Sequence, residues 1–188
     1  MSSILTVSAT AFALCILLHF IALKFFPKWG LLDHPERYGL SRARLPYPTG
    51  IASVVAFVVM FAITRTEWSL QEYGLLASIV LLAAMTLTDD LRRLPSWIRL
   101  LLQAFIGFVL FTTGTRIYTI TNPLGGIIKL DTFDVFLPQL STFVGPLPLW
   151  SGVFTIAWIV LTTNAANWLD GVPGQVSILT ALSALTLG

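Results

Sequence analysis

The sequence predicts an all-α polytopic membrane protein, and three observations carry that expectation. Hydrophobic residues make up 56% of the 188 positions and charged residues only 11%, where soluble domains carry about 25% charged residues. The mean hydropathy is +0.84. The apolar residues also fall into blocks, and a helix needs about 20 mainly apolar residues to cross the hydrocarbon core. Five blocks approach that length: residues 4–23, 48–64, 73–88, 96–113 and 149–169. A sixth opens at Val176 and has run 13 residues at Gly188. The expected architecture is a single membrane domain over residues 1–188, with about five complete transmembrane helices and an incomplete sixth.

The first block has no basic leader and no obvious cleavage site, so it is expected to be a retained span rather than a signal peptide. Orientation follows from the basic residues. Lys24, Lys28, Arg37, Arg42 and Arg44 lie between the first and second blocks, and Arg92, Arg93 and Arg99 at the junction of the third and fourth. These are eight of the eleven basic residues. The positive-inside rule puts both loops in the cytoplasm and the N-terminus outside. The fifth span then runs inward and ends at the cytoplasmic surface. The long outer loop from Arg116 to Trp150 contains RIYTITNPLGGIIKLDTF, two β-rich pieces around Asn-Pro and Gly-Gly, and is expected to form a small β-hairpin. The lone cysteine, Cys15, excludes an internal disulfide and a thiolate metal cluster. His19, inside the first span, reads as a packed side chain, and His34 as a loop residue.

Three polar clusters gather on the expected cytoplasmic side: residues 30–50, 87–95 and 164–174. In the second, Asp89 and Asp90 close an uncharged run. Neighbouring carboxylates repel each other, and the C-terminal end of a helix is the wrong end for negative charge. A Mg²⁺ ion or a basic partner would offset both penalties. The plainer alternative is a cap paired with Arg92 and Arg93. In the third, Asn164 and Asn167 are three residues apart and share a helix face, with Asp170 three further on. Gly171 and Gly174 permit a turn and close backbone approach. Two amides and a carboxylate there suit a polar ligand bearing phosphates, a sugar or a base; a polar helix end is the alternative. In the first cluster, Arg42, Arg44 and the other basic residues could hold phosphates or anchor the loop to anionic lipid.

Taken together, the loop with Asp33, Pro35, Arg42, Pro46, Pro48 and Gly50, the pair Asp89–Asp90 and the element NAANWLDG resemble the polyprenyl-phosphate N-acetylhexosamine-1-phosphate transferases. The resemblance covers the whole chain and corresponds to the N-terminal portion of a typical member. It implies transfer of a sugar-1-phosphate from a UDP-N-acetylhexosamine to a polyprenyl (undecaprenyl) phosphate, with release of UMP. It implies Mg²⁺ as cofactor and a multi-pass protein of the inner or plasma membrane, with its site facing the cytoplasm. A homodimer is compatible with it, and nothing points to nucleic acid as a partner. Residue by residue, it implies a metal-diphosphate and catalytic role for Asp89, Asp90 and Asp170. Asn164, Asn167, Gly171, Asp33, Arg42, Arg44, Arg92 and Arg93 are expected around the substrates.

Some positions depart from the family pattern. Pro173 stands where a second aspartate is usual, and Tyr38, Gly39 and Ser41 stand where lysine and histidine are common. The family's later Gly-Asp and histidine-rich loop are not within these 188 residues. RLPYPTG looks more like the GlcNAc-1-phosphate branch than the branch that makes lipid I from UDP-MurNAc-pentapeptide. Three rivals are weighed. A CDP-alcohol phosphotransferase would need Ala-Arg and two more aspartates after Asp170–Gly171, and residues 172–188 contain neither. A transporter would place polar groups at the bilayer midplane rather than at span ends. A truncated, non-catalytic membrane subunit remains the third.

Overall fold

The computed structural model describes residues 2–32, 35, 39, 41, 43–46, 49–135, 145–169 and 175–187. The chain divides into two compact units, Met1–Leu94 and Pro95–Gly188. Among the described residues there are six α-helices and four short strands.

The first unit begins with α1, Ser2–Phe25, which continues into a 3-10 turn, Phe26–Trp29. Gly30 stops the turn in the left-handed region at φ 74°, a conformation cheap for glycine. Leu32 and Pro46 then pair across the following loop as an isolated antiparallel bridge, and Pro35 is fully buried. Helix α2, Gly50–Thr64, buries Ala52, Ala56 and Met60, spaced four apart so that one stripe faces inward. Helix α3, Leu70–Arg92, starts on a reciprocal capping box. The Ser69 hydroxyl accepts from the Glu72 amide at 3.3 Å, and the Glu72 carboxylate accepts from the Ser69 amide at 2.9 Å. Two orphan donors of the first turn are thereby satisfied.

The second unit is built on α4, Ser96–Thr112, and α5, Leu149–Leu169, with α6, Gln175–Leu187, after them. Helix α4 buries Gln103, Ile106, Gly107, Leu110 and Phe111, and α5 buries Ser151, Gly152 and Thr155. Both sets recur at helical spacing, so each helix turns one stripe inward. Between them lies the expected hairpin: β1, Thr119–Thr121, pairs antiparallel with β2, Ile127–Lys129. Its turn is fixed by Asn122, whose side chain accepts from the Leu124 amide at 3.0 Å, and by Gly125 and Gly126 at φ 107° and 87°. Strands β3, Asp134–Val135, and β4, Leu147–Pro148, form a second short pair. Arg116 locks this end of the unit. Its guanidinium donates to the Phe111 and Pro146 carbonyls at 3.0 and 2.7 Å and lies over the Phe111 ring.

Three helical stretches are long and apolar enough to cross a membrane: Ile4–Trp29, Leu70–Arg92 and Leu149–Leu169. The second and fourth expected spans are realised as helices of 15 and 17 residues. At 1.5 Å per residue these are roughly 22 and 26 Å long, short of the ~30 Å hydrocarbon core. The difference has a local cause. Arg65 ends α2 in extended geometry and Pro95 opens α4 at ψ 143°, so the chain leaves helical geometry at both points.

Candidate functional site

Helix α3 carries the two aspartates inside its last turn. The chain reverses immediately afterwards: Arg93 adopts left-handed geometry at φ 50° and donates its amide to the Asp89 carbonyl at 2.7 Å. The Asp89 carboxylate accepts the Leu94 amide, also at 2.7 Å. Asp89 therefore helps to hold the turn that ends its own helix. A backbone donor offsets the unfavourable position of a carboxylate at a helix C-terminus. Asp89 is half-buried and Asp90 is exposed. Successive helical residues do not face each other, so Asp89 and Asp90 sit on adjoining faces of α3. Arg92 and Arg93 follow, both exposed.

Helix α5 carries the amides. Asn164 is half-buried and its Nδ2 donates to two acceptors, the Gln103 side-chain oxygen of α4 at 2.6 Å and the Val160 carbonyl at 2.8 Å. Both amide hydrogens are thus directed into the helix pair. Asn167, one turn on, is exposed. The shared face expected of these two amides divides into one that binds the neighbouring helix and one that is exposed. Gln103 did not figure among the expected site residues. It is 6% exposed, and its signal was the single amide inside WIRLLLQAFIGFVLF.

In the first loop, Arg44 is exposed. Asp33, Arg42, Asp170 and Gly171 lie outside the described residues, as do His34 and Pro173. His19 has a local role: its Nδ1 lies 2.8 Å from the Cys15 carbonyl, one helical turn back, as a packed histidine would. Among the described residues no group of three or more His, Cys, Asp or Glu side chains is arranged to hold a metal ion. Asp89 and Asp90 offer two carboxylates. Carboxylate oxygens are the hard donors that Mg²⁺ takes.

Comparison with known proteins agrees with the motif reading. Over 168 residues the chain is 28% identical to a probable undecaprenyl-phosphate N-acetylglucosaminyl 1-phosphate transferase of Bacillus subtilis (strain 168), covering 85% of this chain and 40% of that protein. The matched part of the chain thus corresponds to 40% of the length of this relative, and the chain as a whole to about half of it. No solved structure matches. Residues 72–188 match the family described as Glycosyl transferase family 4. That segment includes Asp89 and Asp90 on α3 and both asparagines on α5, and over it the chain belongs to glycosyl transferase family 4.

Proposed function

We propose that this chain forms part of a membrane enzyme that transfers a sugar-1-phosphate from a UDP-sugar to a polyprenyl phosphate, releasing UMP, at the start of a cell-envelope glycan. The observation that carries this reading is the family match over residues 72–188, a segment holding an acidic pair at one helix end and an amide pair at another. The related transferase acts on undecaprenyl phosphate and N-acetylglucosaminyl 1-phosphate by its name, and that supports GlcNAc-1-phosphate as the transferred group.

The chemistry is a substitution at phosphorus. An oxygen of the lipid phosphate bonds to the β-phosphorus of the UDP-sugar, the bond from that phosphorus to the bridging oxygen breaks, and UMP leaves with that oxygen. Such reactions depend mainly on positioning and charge neutralisation. Asp89 and Asp90 would hold Mg²⁺, with Asp170 as a third carboxylate. When bound, the ion draws charge from the phosphate oxygens and polarises the β-phosphoryl group. Arg42, Arg44, Arg92 and Arg93 would bind the phosphates. Asn167, Asp170, Gly171 and Asp33 would contact the nucleotide-sugar, and Asn164 would hold α5 against α4. A site at the cytoplasmic membrane surface lets a soluble nucleotide meet an acceptor confined to the bilayer.

The test uses membranes containing the protein expressed from its native reading frame. UDP-GlcNAc, undecaprenyl phosphate and Mg²⁺ should yield UMP and a lipid-linked sugar diphosphate. Asp170→Asn should cut turnover by on the order of 10²-fold or more, because it would weaken the hold on the cation that stabilises transition-state charge. Turnover of wild-type size in that variant, or no UMP release from the wild type, would overturn the reading.

A further inference from the structure

We propose that the β1–β2 hairpin is a membrane-surface element, lying with its apolar face in the interfacial layer of the bilayer that surrounds α4 and α5.

The two faces of the hairpin differ in chemistry. The register pairs Thr119 with Lys129, Ile120 with Ile128, and Thr121 with Ile127. Side chains alternate between faces along a strand. One face therefore carries Thr119, Thr121, Ile127 and Lys129, and the other Tyr118, Ile120, Ile128 and Leu130. The second face is apolar along its whole length, save for the tyrosine hydroxyl. Along it, Leu130 at the base is 5% exposed and Ile128 41%; Leu124, in the turn beyond the strands, is 96% exposed. The face begins in the packed part of the unit and emerges uncovered.

Hydrogen bonds fix where it emerges. Leu130 donates to the Tyr118 carbonyl at 2.8 Å and accepts from the Ser151 amide, in the first turn of α5, at 3.2 Å. The Ile117 amide, just before β1, donates to Thr155 of α5 at 3.0 Å. The base of the hairpin is thus tied to the start of a helix that is long and apolar enough to span the membrane. Beside that tie stand Phe133, Leu149 and Trp150, all exposed, with the Leu149 amide bonded to the Phe133 carbonyl. Aromatic side chains at a span end mark the level of the membrane–water interface.

Two further points select lipid as the occupant. An isolated two-stranded hairpin is marginal in water and needs a surface to pack on. The tip is also a defined turn, with the Asn122 side chain accepting from the Leu124 amide and two glycines at positive φ, and Leu124 is exposed on it. An amphipathic element anchored at the interface buries its apolar face in the headgroup–acyl boundary and turns the face with Thr119, Thr121 and Lys129, which also carries the exposed Ile127, toward water.

The experiment is nitroxide accessibility in the full chain. In a Cys15→Ser background, Leu124→Cys, Ile128→Cys and Thr121→Cys are each spin-labelled and reconstituted in phosphatidylcholine–phosphatidylglycerol vesicles. Labels at 124 and 128 should be relaxed several-fold more by oxygen, which partitions into lipid, than by a water-soluble nickel chelate. The label at 121 should show the reverse preference. Preferential nickel access at 124 and 128 would place the apolar face in water and overturn the proposal. Shielding from both reagents would mean that protein covers it, a second copy included, and would overturn it equally. Because Leu124 is almost fully exposed, its replacement leaves the packed part of the unit intact. None of these residues belongs to the proposed transferase site, so the outcome is independent of that reading.

Discussion

Helices α1 and α2 meet through alanines, whereas α4 and α5 meet through two glycines, a glutamine and an asparagine. Lipid tails are as apolar as leucine, so paired spans gain little from hydrophobicity and depend on close packing and hydrogen bonds. The α1–α2 pair uses neither fully. Ala22, Ala52, Ala56 and Met60 are buried there, but a groove lined by Val7, Ala11, Cys15, Ala56 and Met60 runs along the seam. The polar approach across it, Cys15 Sγ to Ser53 Oγ, is 3.9 Å. At α4–α5 a Cβ built on Gly107 would stand 3.1 Å from the Ile156 Cα, and one on Gly152 would stand 3.1 Å from the Phe111 ring. The Gln103–Asn164 bond adds a directional tie at 2.6 Å. An apolar, under-filled seam tolerates sliding, whereas a glycine seam with one amide bond has a single register. The helix held in register is the one that carries Asn164 and Asn167.

The largest effect is expected where that register rests on backbone contact. Gly107→Leu would drive a side chain into the main chain at Ile156, which cannot move aside as a flexible side chain can. Overpacking of this kind costs typically 1–3 kcal/mol. The thermal unfolding midpoint in lipid nanodiscs should fall clearly below that of the parent chain. An unchanged midpoint would mean that the glycine contact does not set the helix separation, and the contrast between the two seams would lose its main support.

A smaller effect sharpens the comparison by separating packing from hydrogen bonding. Gln103→Leu keeps much of the volume and removes the acceptor for Asn164, leaving that amide with Val160 alone. Interhelical hydrogen bonds in membranes are worth about 0.6 kcal/mol on average and up to about 1.7. A double-mutant cycle with Asn164→Leu should give a coupling energy in that range. If the two single losses simply add, the 2.6 Å approach is a contact without a net bond, and register is a matter of glycine packing alone.

The sequence made some of this legible. The hairpin was readable because Asn-Pro and Gly-Gly between β-branched residues state their turn chemistry locally, and β1 and β2 formed where expected. The helices were readable as apolar blocks, but their ends were not. A capping box at Ser69 and Glu72 starts α3 three residues before the apolar block suggests, and the same helix runs on to Arg92, past both aspartates. The partner of Asn164 was hidden for a different reason: Gln103 is 61 residues away, and helical spacing relates only residues on the same helix. Likewise, the acidic pair was visible in the sequence, but its division of labour was not. The bond from Leu94 to Asp89 arises from a reversal at Arg93, a non-glycine residue at positive φ. Such a conformation is uncommon and carries no sequence signature here.

The smallest effect should come from the under-filled seam, and its sign matters more than its size. Ala11→Val adds two methyl carbons at the wall of the α1–α2 groove, where Ala11 is half-buried. Burying one methylene from water is worth about 0.8 kcal/mol, but a seam between helices in lipid gains little from hydrophobicity, so most of that gain disappears. What remains is improved van der Waals contact against Cys15 and Met60, opposed by the slight stiffness of a β-branched residue in a helix. The net change should lie within about 1 kcal/mol of zero, as expected for filling space without displacing backbone. Measured beside Gly107→Leu in the same nanodiscs, Ala11→Val should leave the midpoint level or raise it. If it lowers the midpoint as far as Gly107→Leu does, the α1–α2 seam is as tightly specified as α4–α5. Alanine packing alone would then suffice to fix a register, and the amide pair would have to be explained by something other than holding α5 in place.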